Sequence, residues 1–359
     1  MKAFVITPGK KDSGKLIDLP EPPRRPDQAL VEVLELGVCA TDLELIEGVY
    51  GEAPPGEPHL IIGHESLGRV VESPNDLLQL GDLVVAMVRR PDPEPCLTCA
   101  VGEADMCLND RYTERGIKSA HGFLTECYVE EPRYLIALPE SLGPVAVLLE
   151  PLSIVEKALD HITRIQARLT WEPHRAMVIG AGTIGTIAAL LLRFEGMEVY
   201  VYSRGDGKQG RRISEAAGAT FISSDNHPLD HALAKELGPI DIVIEATGHS
   251  PLAFDAIEVA APNGVICLTG VTSGSRTLKL DADHLNLEMV LGNKVLFGTV
   301  SANGRHFEAG VAHLHTLTHR WPGLLEQMIT SRVPLADFTP EALSHPSDLK
   351  VVVDVQKRP

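Results

Sequence analysis

The sequence predicts an α/β protein of two domains, a β-rich partly open barrel and a doubly wound parallel sheet. Three observations carry that prediction. At 359 residues the chain is long enough for about two domains of ordinary size. Residues 1–171 hold short β-like runs separated by Pro, Gly and Asp, which is how strands rather than helices are punctuated. From residue 172 to 301, apolar runs alternate with helical stretches, the rhythm of parallel βαβ units.

In chain order, Leu30 to Leu34, Leu67 to Glu72, Leu83 to Val88 and Gly122 to Val129 read as strands. They are interrupted at Pro20 to Pro26, Ala53 to Pro58 and Pro91 to Pro95. Proline has no N–H to give to a sheet ladder, so each of these clusters ends a strand. Residues 151–169 place Ile154, Val155, Ala158, Leu159 and Ile162 on one helix face. Thr170 to Pro173 breaks that helix. Strands are then expected at Ala176 to Ile179, Glu198 to Tyr202, Ala219 to Ile222, Ile240 to Glu245, Gly264 to Thr269 and Lys294 to Val300. The tail starts helical after 302 and ends in the apolar strand Lys350 to Val355, which is too isolated to form a domain and is assigned back to the first. The expected division is 1–171 with 302–359, and 172–301.

The stretch Ala176 to Gly185 organises the second domain. Gly180, Gly182 and Gly185 form G-x-G-x-x-G between an apolar strand and an Ala/Leu-rich helix. In that setting the first glycine permits the turn, the second lets a pyrophosphate approach the backbone, and the third lets helix and strand pack closely. The helix N-terminus, opened by Thr183 and Ile184, presents free N–H groups to the phosphates. The second strand ends Ser203-Arg204, with no carboxylate at either position. An acidic residue there usually binds the ribose hydroxyls of NAD. A hydroxyl and a guanidinium suit a 2′-phosphate instead. The expected cofactor is NADP, with NAD tolerated. Lys208, Arg211 and Arg212 are available to assist, and Asp206 opposes it.

Composition narrows the function classes. Lys+Arg number 32 against 49 Asp+Glu, a net charge of −17, so no basic face for nucleic acid is expected. No apolar run approaches the ~20 residues that span a bilayer, and the start lacks the long apolar region of a signal peptide. The expectation is a cytoplasmic protein without membrane contact, its six cysteines being thiols or metal ligands.

Cys39, His64, Glu65 and Glu150 are ligand types that zinc accepts, and their wide spacing suits a catalytic site assembled by the fold, with one position left open. Cys96-x2-Cys99-x7-Cys107 is a zinc-type spacing in a short Pro- and Gly-bearing lobe, where a closed site would be structural.

Gly37-Val38-Cys39-Ala40-Thr41-Asp42, Gly63-His64-Glu65-Ser66-Leu67-Gly68, Gly81-Asp82-Leu83-Val84 and the glycines of 180–185 occur in that order. Together they resemble the zinc-dependent medium-chain alcohol/polyol dehydrogenases over the whole chain. Arg89-Arg90, Arg115-Gly116-Ile117, His121-Gly122-Phe123 and Glu150-Pro151-Leu152 resemble the glucose dehydrogenase branch. The resemblance implies a GroES-like barrel beside a Rossmann domain. It implies a catalytic zinc on Cys39 and His64 with Glu65 and Glu150 as further ligands, one of the two acting through water. Thr41 would relay the substrate's proton. Four cysteines are usual in the lobe. Here Pro93 falls where the first would stand, which leaves Asp92 as the candidate fourth ligand, ahead of Glu94 and Asp110.

The implied reaction is oxidation of an aldose to its lactone. A sugar needs many polar partners, because each buried hydroxyl must be paired. Arg89, Glu114, His121, Glu150 and Asn303 are the candidates, Glu114 and Asn303 foremost, with Asn303 also on the cofactor side. A homodimer or homotetramer joined through the last strands of the nucleotide domain is implied too. Alternatives are a sorbitol, polyol or L-threonine dehydrogenase and, from another class, a non-catalytic NADPH-binding sensor. The presence of all four candidate ligands argues against the sensor. His313, His315 and His319 read as surface or core residues, because positions 313 and 315 of a helix do not share a face.

Overall fold

The computed structural model describes residues 1–205, 209–272, 274–340 and 349–356. Asp206 and Lys208 lie outside the described residues. The chain forms two units, one of Met1–Ser153, Ser301–Thr316 and Ile329–Pro359, the other of Ile154–Val300 and Leu317–Met328. The division expected at 171 falls instead inside the helix Leu149–Gln166. The break at Thr170 to Pro173 marks where that helix stops. It carries no information about which sheet each turn packs upon. Among the described residues no helix is long and apolar enough to cross a membrane.

In the first unit a seven-stranded sheet runs in the order Leu135–Leu138, Leu83–Ala86, Glu65–Glu72, Ala29–Val38, Lys350–Asp354, Ile329–Pro334, with Cys127–Glu130 also pairing Ala29–Val38. A three-stranded sheet of Lys15–Asp18, Lys2–Ile6 and Leu60–Ile61 accompanies it. Ala29–Val38 is the axis. Its last six residues are all buried, as befits a strand covered on both faces. Phe4, Val33, Leu36, Leu60, Ile62, Phe123, Leu124 and Val353 share one core. Strand register places the polar residues at the sheet's end. Gly37 faces Glu65 on one side and Val352 on the other. Cys39, Glu65 and Lys350 therefore emerge together at one end of three adjacent strands.

The second unit is built on a six-stranded parallel sheet in the order Thr220–Ser223, Glu198–Ser203, Arg175–Ile179, Ile240–Glu245, Ala260–Leu268, Val295–Gly298. Numbered along the sheet in chain order this is 3-2-1-4-5-6, the doubly wound arrangement that binds dinucleotides where the strand order reverses. Arg175–Ile179 lies at that reversal, its last four residues buried. Gly180 comes next at φ +114, a conformation that a side chain strains. The helix Thr183–Phe194 then buries Gly185 to Leu192 without interruption. It packs so closely that a Cβ at Gly185 would collide with the carbonyl oxygen of Gly180.

Gly185→Ala should therefore destabilise the protein by about 1–3 kcal/mol, the usual cost of overpacking. Denaturant unfolding measures it, and an unchanged midpoint would contradict the packing described.

Candidate active site

The site grows from the end of the axial strand. Cys39 follows Val38 and caps the helix Ala40–Ile46, and its backbone N–H donates to Asp42 Oδ2 at 3.0 Å. One turn of helix thus fixes Cys39, Thr41 and Asp42 relative to one another. His64 and Glu65 sit where Glu65–Glu72 begins. The peptide at Gly63 before them is locked by Phe123 N–H to Gly63 O at 2.9 Å and Gly122 N–H to Ile61 O at 2.7 Å. Gly116 and Gly122 are pressed against Gly63 so tightly that a Cβ on either would strike its carbonyl oxygen. This contact explains the glycines of the Arg115-Gly116 and His121-Gly122 pairs.

Cys39 Sγ stands 3.1 Å from His64 Nε2, and the ligand atoms of Cys39, His64 and Glu65 all lie within 4.8 Å of one another. His64 Nδ1 lies 3.4 Å from Asp42 Oδ1, and although burial opposes it, Cys39 and Asp42 raise the pKa of His64 well above its ordinary value. Burial works against the Asp42 carboxylate, but His64, the Cys39 amide and Lys350 outweigh it and hold its pKa below the ordinary value. Lys350 Nζ donates to Glu65 Oε1 at 2.8 Å, to Oε2 at 2.6 Å and to Val38 O at 3.2 Å. Glu65 and Lys350 are 2% and 1% exposed, so this ion pair is wholly desolvated. Glu150, in the first turn of Leu149–Gln166, is outside the 4.8 Å group yet feels it. Burial first, then Glu65 and Asp42, push its carboxyl up to about 7 against the pull of His64 and Lys350.

The donor chemistry tests the fit to a metal. Asp42, Glu65 and Glu150 are three buried carboxyl groups beside a thiol, and Lys350 is the one buried lysine among them. Thiolate, imidazole and carboxylate are the donors of a catalytic zinc, so the residues fit.

Thr41 is half-buried. The Tyr50 hydroxyl, pushed up to about 12 mainly by burial, has Thr41 and Glu44 as hydrogen-bond neighbours. The sugar candidates form a connected set. Asn303, 4% exposed, donates from Nδ2 to Asp105 Oδ1 at 2.9 Å. Arg89 donates to Asp105 O at 3.0 Å and grips Glu114 Oε1 from Nε and Nη2 at 3.0 and 2.7 Å. Its guanidinium also lies 3.7 Å over the Tyr112 ring. Arg89 is thus committed to holding Glu114 rather than standing open to a ligand. His121 is committed as well, to Ile61 N–H and Glu57.

In the lobe, Cys96, Cys99 and Cys107 converge within 4.8 Å. A hydrogen bond from Thr98, then the Leu108 and Cys99 amides, lower the Cys96 thiol to about 6, which favours the thiolate a metal needs. Asp92 is not a fourth member. Its carboxylate accepts from Glu94 N–H at 2.9 Å, Asn109 Nδ2 at 2.7 Å and Arg111 Nε at 3.1 Å. Proximity in sequence to Pro93 does not reveal that these neighbours saturate it. Glu94 pairs with Arg111 and Asp110 with Lys118, and neither joins the sulfurs. His313, His315 and His319 lie on the helix Gly304–Arg320, and among the described residues none belongs to a metal-type cluster.

The Gly182 position faces open space, with nothing within 4 Å of a Cβ built there. The helix it caps has no side-chain cap hydrogen bond. Both features fit a pyrophosphate resting on backbone amides at Gly182, Thr183 and Ile184. Ser203 is half-buried and Arg204 exposed. Among the described residues Arg204 and Arg212 make no ion pair, whereas Arg211 is occupied by Glu215 and the Phe221 ring. Asp225 Oδ2 accepts from Gly205 N–H at 3.1 Å, which holds the backbone next to Arg204.

A family model described as glucose dehydrogenase C-terminus matches residues 143–355, and one described as alcohol dehydrogenase GroES-like domain matches residues 25–140. Glucose 1-dehydrogenase of Methanocella arvoryzae is 48% identical over 358 residues, covering 99% of this chain and 99% of that protein. Glucose 1-dehydrogenase of Thermoproteus tenax is 38% identical over 360 residues, covering 99% and 100%. The crystal structure of Haloferax mediterranei glucose dehydrogenase in complex with NADP, Zn and gluconolactone is similar with a TM-score of 0.91 at 34% identity, covering 100% of both chains.

Lys350→Met leaves Glu65 charged, buried and alone. The expected loss is about 3–5 kcal/mol of stability, read by urea unfolding. A loss below ~1 kcal/mol would contradict the pairing.

Proposed function

The chain belongs to the glucose dehydrogenase family of zinc-dependent medium-chain alcohol dehydrogenases, and on that premise we propose that it oxidises D-glucose at C1 to the lactone, using NADP in preference to NAD. The observation that carries this reading is the convergence of Cys39, His64 and Glu65 within 4.8 Å of one another, with a polar network of Asn303, Asp105, Arg89 and Glu114 in the same unit.

When bound, zinc is a Lewis acid that favours ionisation of the sugar hydroxyl, and the nicotinamide accepts the hydride. The protein's own residues do the rest. Cys39, His64 and Glu65, with Glu150 behind them, would hold the ion. Asp42 keeps His64 in the tautomer that leaves Nε2 free, the role that outer partners play for metal-bound histidines. Lys350 would offset part of the charge that Glu65 presents to a bound ion. Thr41 takes the hydroxyl proton and hands it on through Tyr50 and Glu44. Glu114, held still by Arg89, and Asn303, held by Asp105, pair sugar hydroxyls. Asn303 also borders the cofactor. Cys96, Cys99 and Cys107 hold a structural zinc whose fourth ligand is not Asp92.

Arg204 and Ser203 bind the 2′-phosphate of NADP, supported by a guanidinium at the end of the second strand that makes no ion pair among the described residues. A reducing cytoplasm suits the six free cysteines. Two copies join through the second unit. The helix Ala282–Leu291 has no buried residue, with Leu287, Val290 and Leu291 at 55%, 63% and 72% exposure. Beside it in sequence, Val295–Gly298 is an open sheet edge, and an unpaired edge is a template for a partner.

Initial rates on D-glucose, other aldoses, sorbitol and L-threonine test the substrate. Glucose with NADP should lead, and sorbitol outpacing every aldose would contradict the assignment. Arg204→Ala should weaken NADP by about 10–100-fold, the worth of a charged hydrogen bond, while leaving NAD unchanged. An unaltered ratio between the two cofactors would remove Arg204 from the site.

A further inference from the structure

Besides the two groups already described, one cluster of metal-ligating side chains stands in the second unit among the described residues: His231, His284 and Glu288. We propose that these three residues form a separate binding site for a divalent transition ion, zinc by preference, that clips the helix His231–Leu237 to the helix Ala282–Leu291.

The geometry is that of ligands, not of chance neighbours. His284 and Glu288 are four residues apart on one helix, so they share a face. His231 reaches them from the other helix, with its Nε2 3.2 Å from His284 Nε2. Two nitrogens bound at about 2.0–2.1 Å to a tetrahedral zinc stand about 3.3 Å apart. The two rings meet at 78°, so they converge edge-on rather than stacking. A carboxylate oxygen of Glu288 completes a set whose atoms all lie within 4.8 Å of one another. A single proton shared by two imidazoles would account for the 3.2 Å distance and Lys294 for the presence of Glu288, but neither draws the carboxylate to the same point as both rings.

The framework around the cluster is set in advance. Asp230 Oδ1 caps the first helix, accepting from Ala232 N–H and Leu233 N–H at 2.9 and 3.1 Å. Asp281 Oδ1 caps the second, accepting from the N–H of His284 itself at 3.2 Å. Both histidines stand in first turns, where the helix end repels a cation, and these capping carboxylates offset that. Lys294 Nζ fastens Glu288 Oε2 at 2.6 Å and Ile257 O at 2.7 Å, which orients the carboxylate as an outer partner does at a metal site. His231 and Glu288 line a groove with Ala234 and Lys235, so an ion and its water have a way in. Two imidazoles and one carboxylate suit zinc better than calcium or magnesium, which want oxygen.

The site is independent of the sugar reaction, so activity and occupancy separate. Holoenzyme is dialysed to equilibrium against buffered free zinc and its metal content measured, for the unaltered protein, His231→Ala, His284→Ala and, as control, the pair His315→Ala with His319→Ala. The unaltered protein should hold a further ion per chain relative to either of the first two variants. Their affinity for that ion should fall by more than ~100-fold, since loss of an outer partner alone costs about 10–100-fold. Glucose oxidation should be the same in all four. Added zinc should raise the melting temperature of the unaltered protein and of the control pair only. Equal zinc content in the unaltered protein and either single variant, or the same deficit in the control pair, would overturn the proposal.

Discussion

Everything at the candidate centre depends on the register of one strand. Ala29–Val38 lies between Glu65–Glu72 and Lys350–Asp354 with Gly37 opposite both Glu65 and Val352. A slip of one residue would turn every side chain to the other face. With the register as it is, the strand ends deliver Cys39, Glu65 and Lys350 to one place, although Lys350 is 285 positions from Glu65. Gly37 makes that possible locally, because a Cβ there would occupy the space of the Glu65 carboxylate. The Glu65–Lys350 pair is therefore a desolvated ion pair on which the arrangement of this end of the sheet depends.

The chemistry that the sequence announces is the part carried by contiguous motifs. Cys39 to Asp42, Gly63 to Glu65 and the glycines of 180–185 each sit on one turn or strand end, so local spacing is a faithful guide to their geometry. The doubly wound sheet is legible for a related reason. Each βα repeat is a local pattern, and the observed strands match the expected runs to within a few residues, apart from Ala260–Leu268, which starts well before the expected Gly264.

The illegible part lies in long-range pairs. Nothing near Lys350 in sequence marks it as the partner of Glu65. Asp105 in the lobe gives no sign that it joins Asn303 to Arg89, 198 residues separating the first two. Asp92 fails as a ligand for the converse reason. Its residue type and position suit zinc, but Asn109 and Arg111 already saturate it. Arg89 reads as a sugar contact because an arginine beside a motif is a good binder, whereas its donors are largely turned to Glu114 and Asp105. The domain boundary expected at 171 is displaced because a helix can continue past the residues that belong with one sheet. The cluster of His231, His284 and Glu288 is hidden in the sequence because His231 and His284, 53 positions apart, meet only once their two helices have folded together.

The proposed chemistry depends on an ion held between Cys39 and His64. Crystals grown with zinc, measured on both sides of the zinc absorption edge, give an anomalous map that locates it directly. The predicted peak lies about 2.3 Å from Cys39 Sγ and about 2.0–2.1 Å from His64 Nε2, with the Glu65 carboxylate still facing Lys350 or turned toward the peak. A map that is empty there, while zinc appears at the three lobe sulfurs, would contradict it.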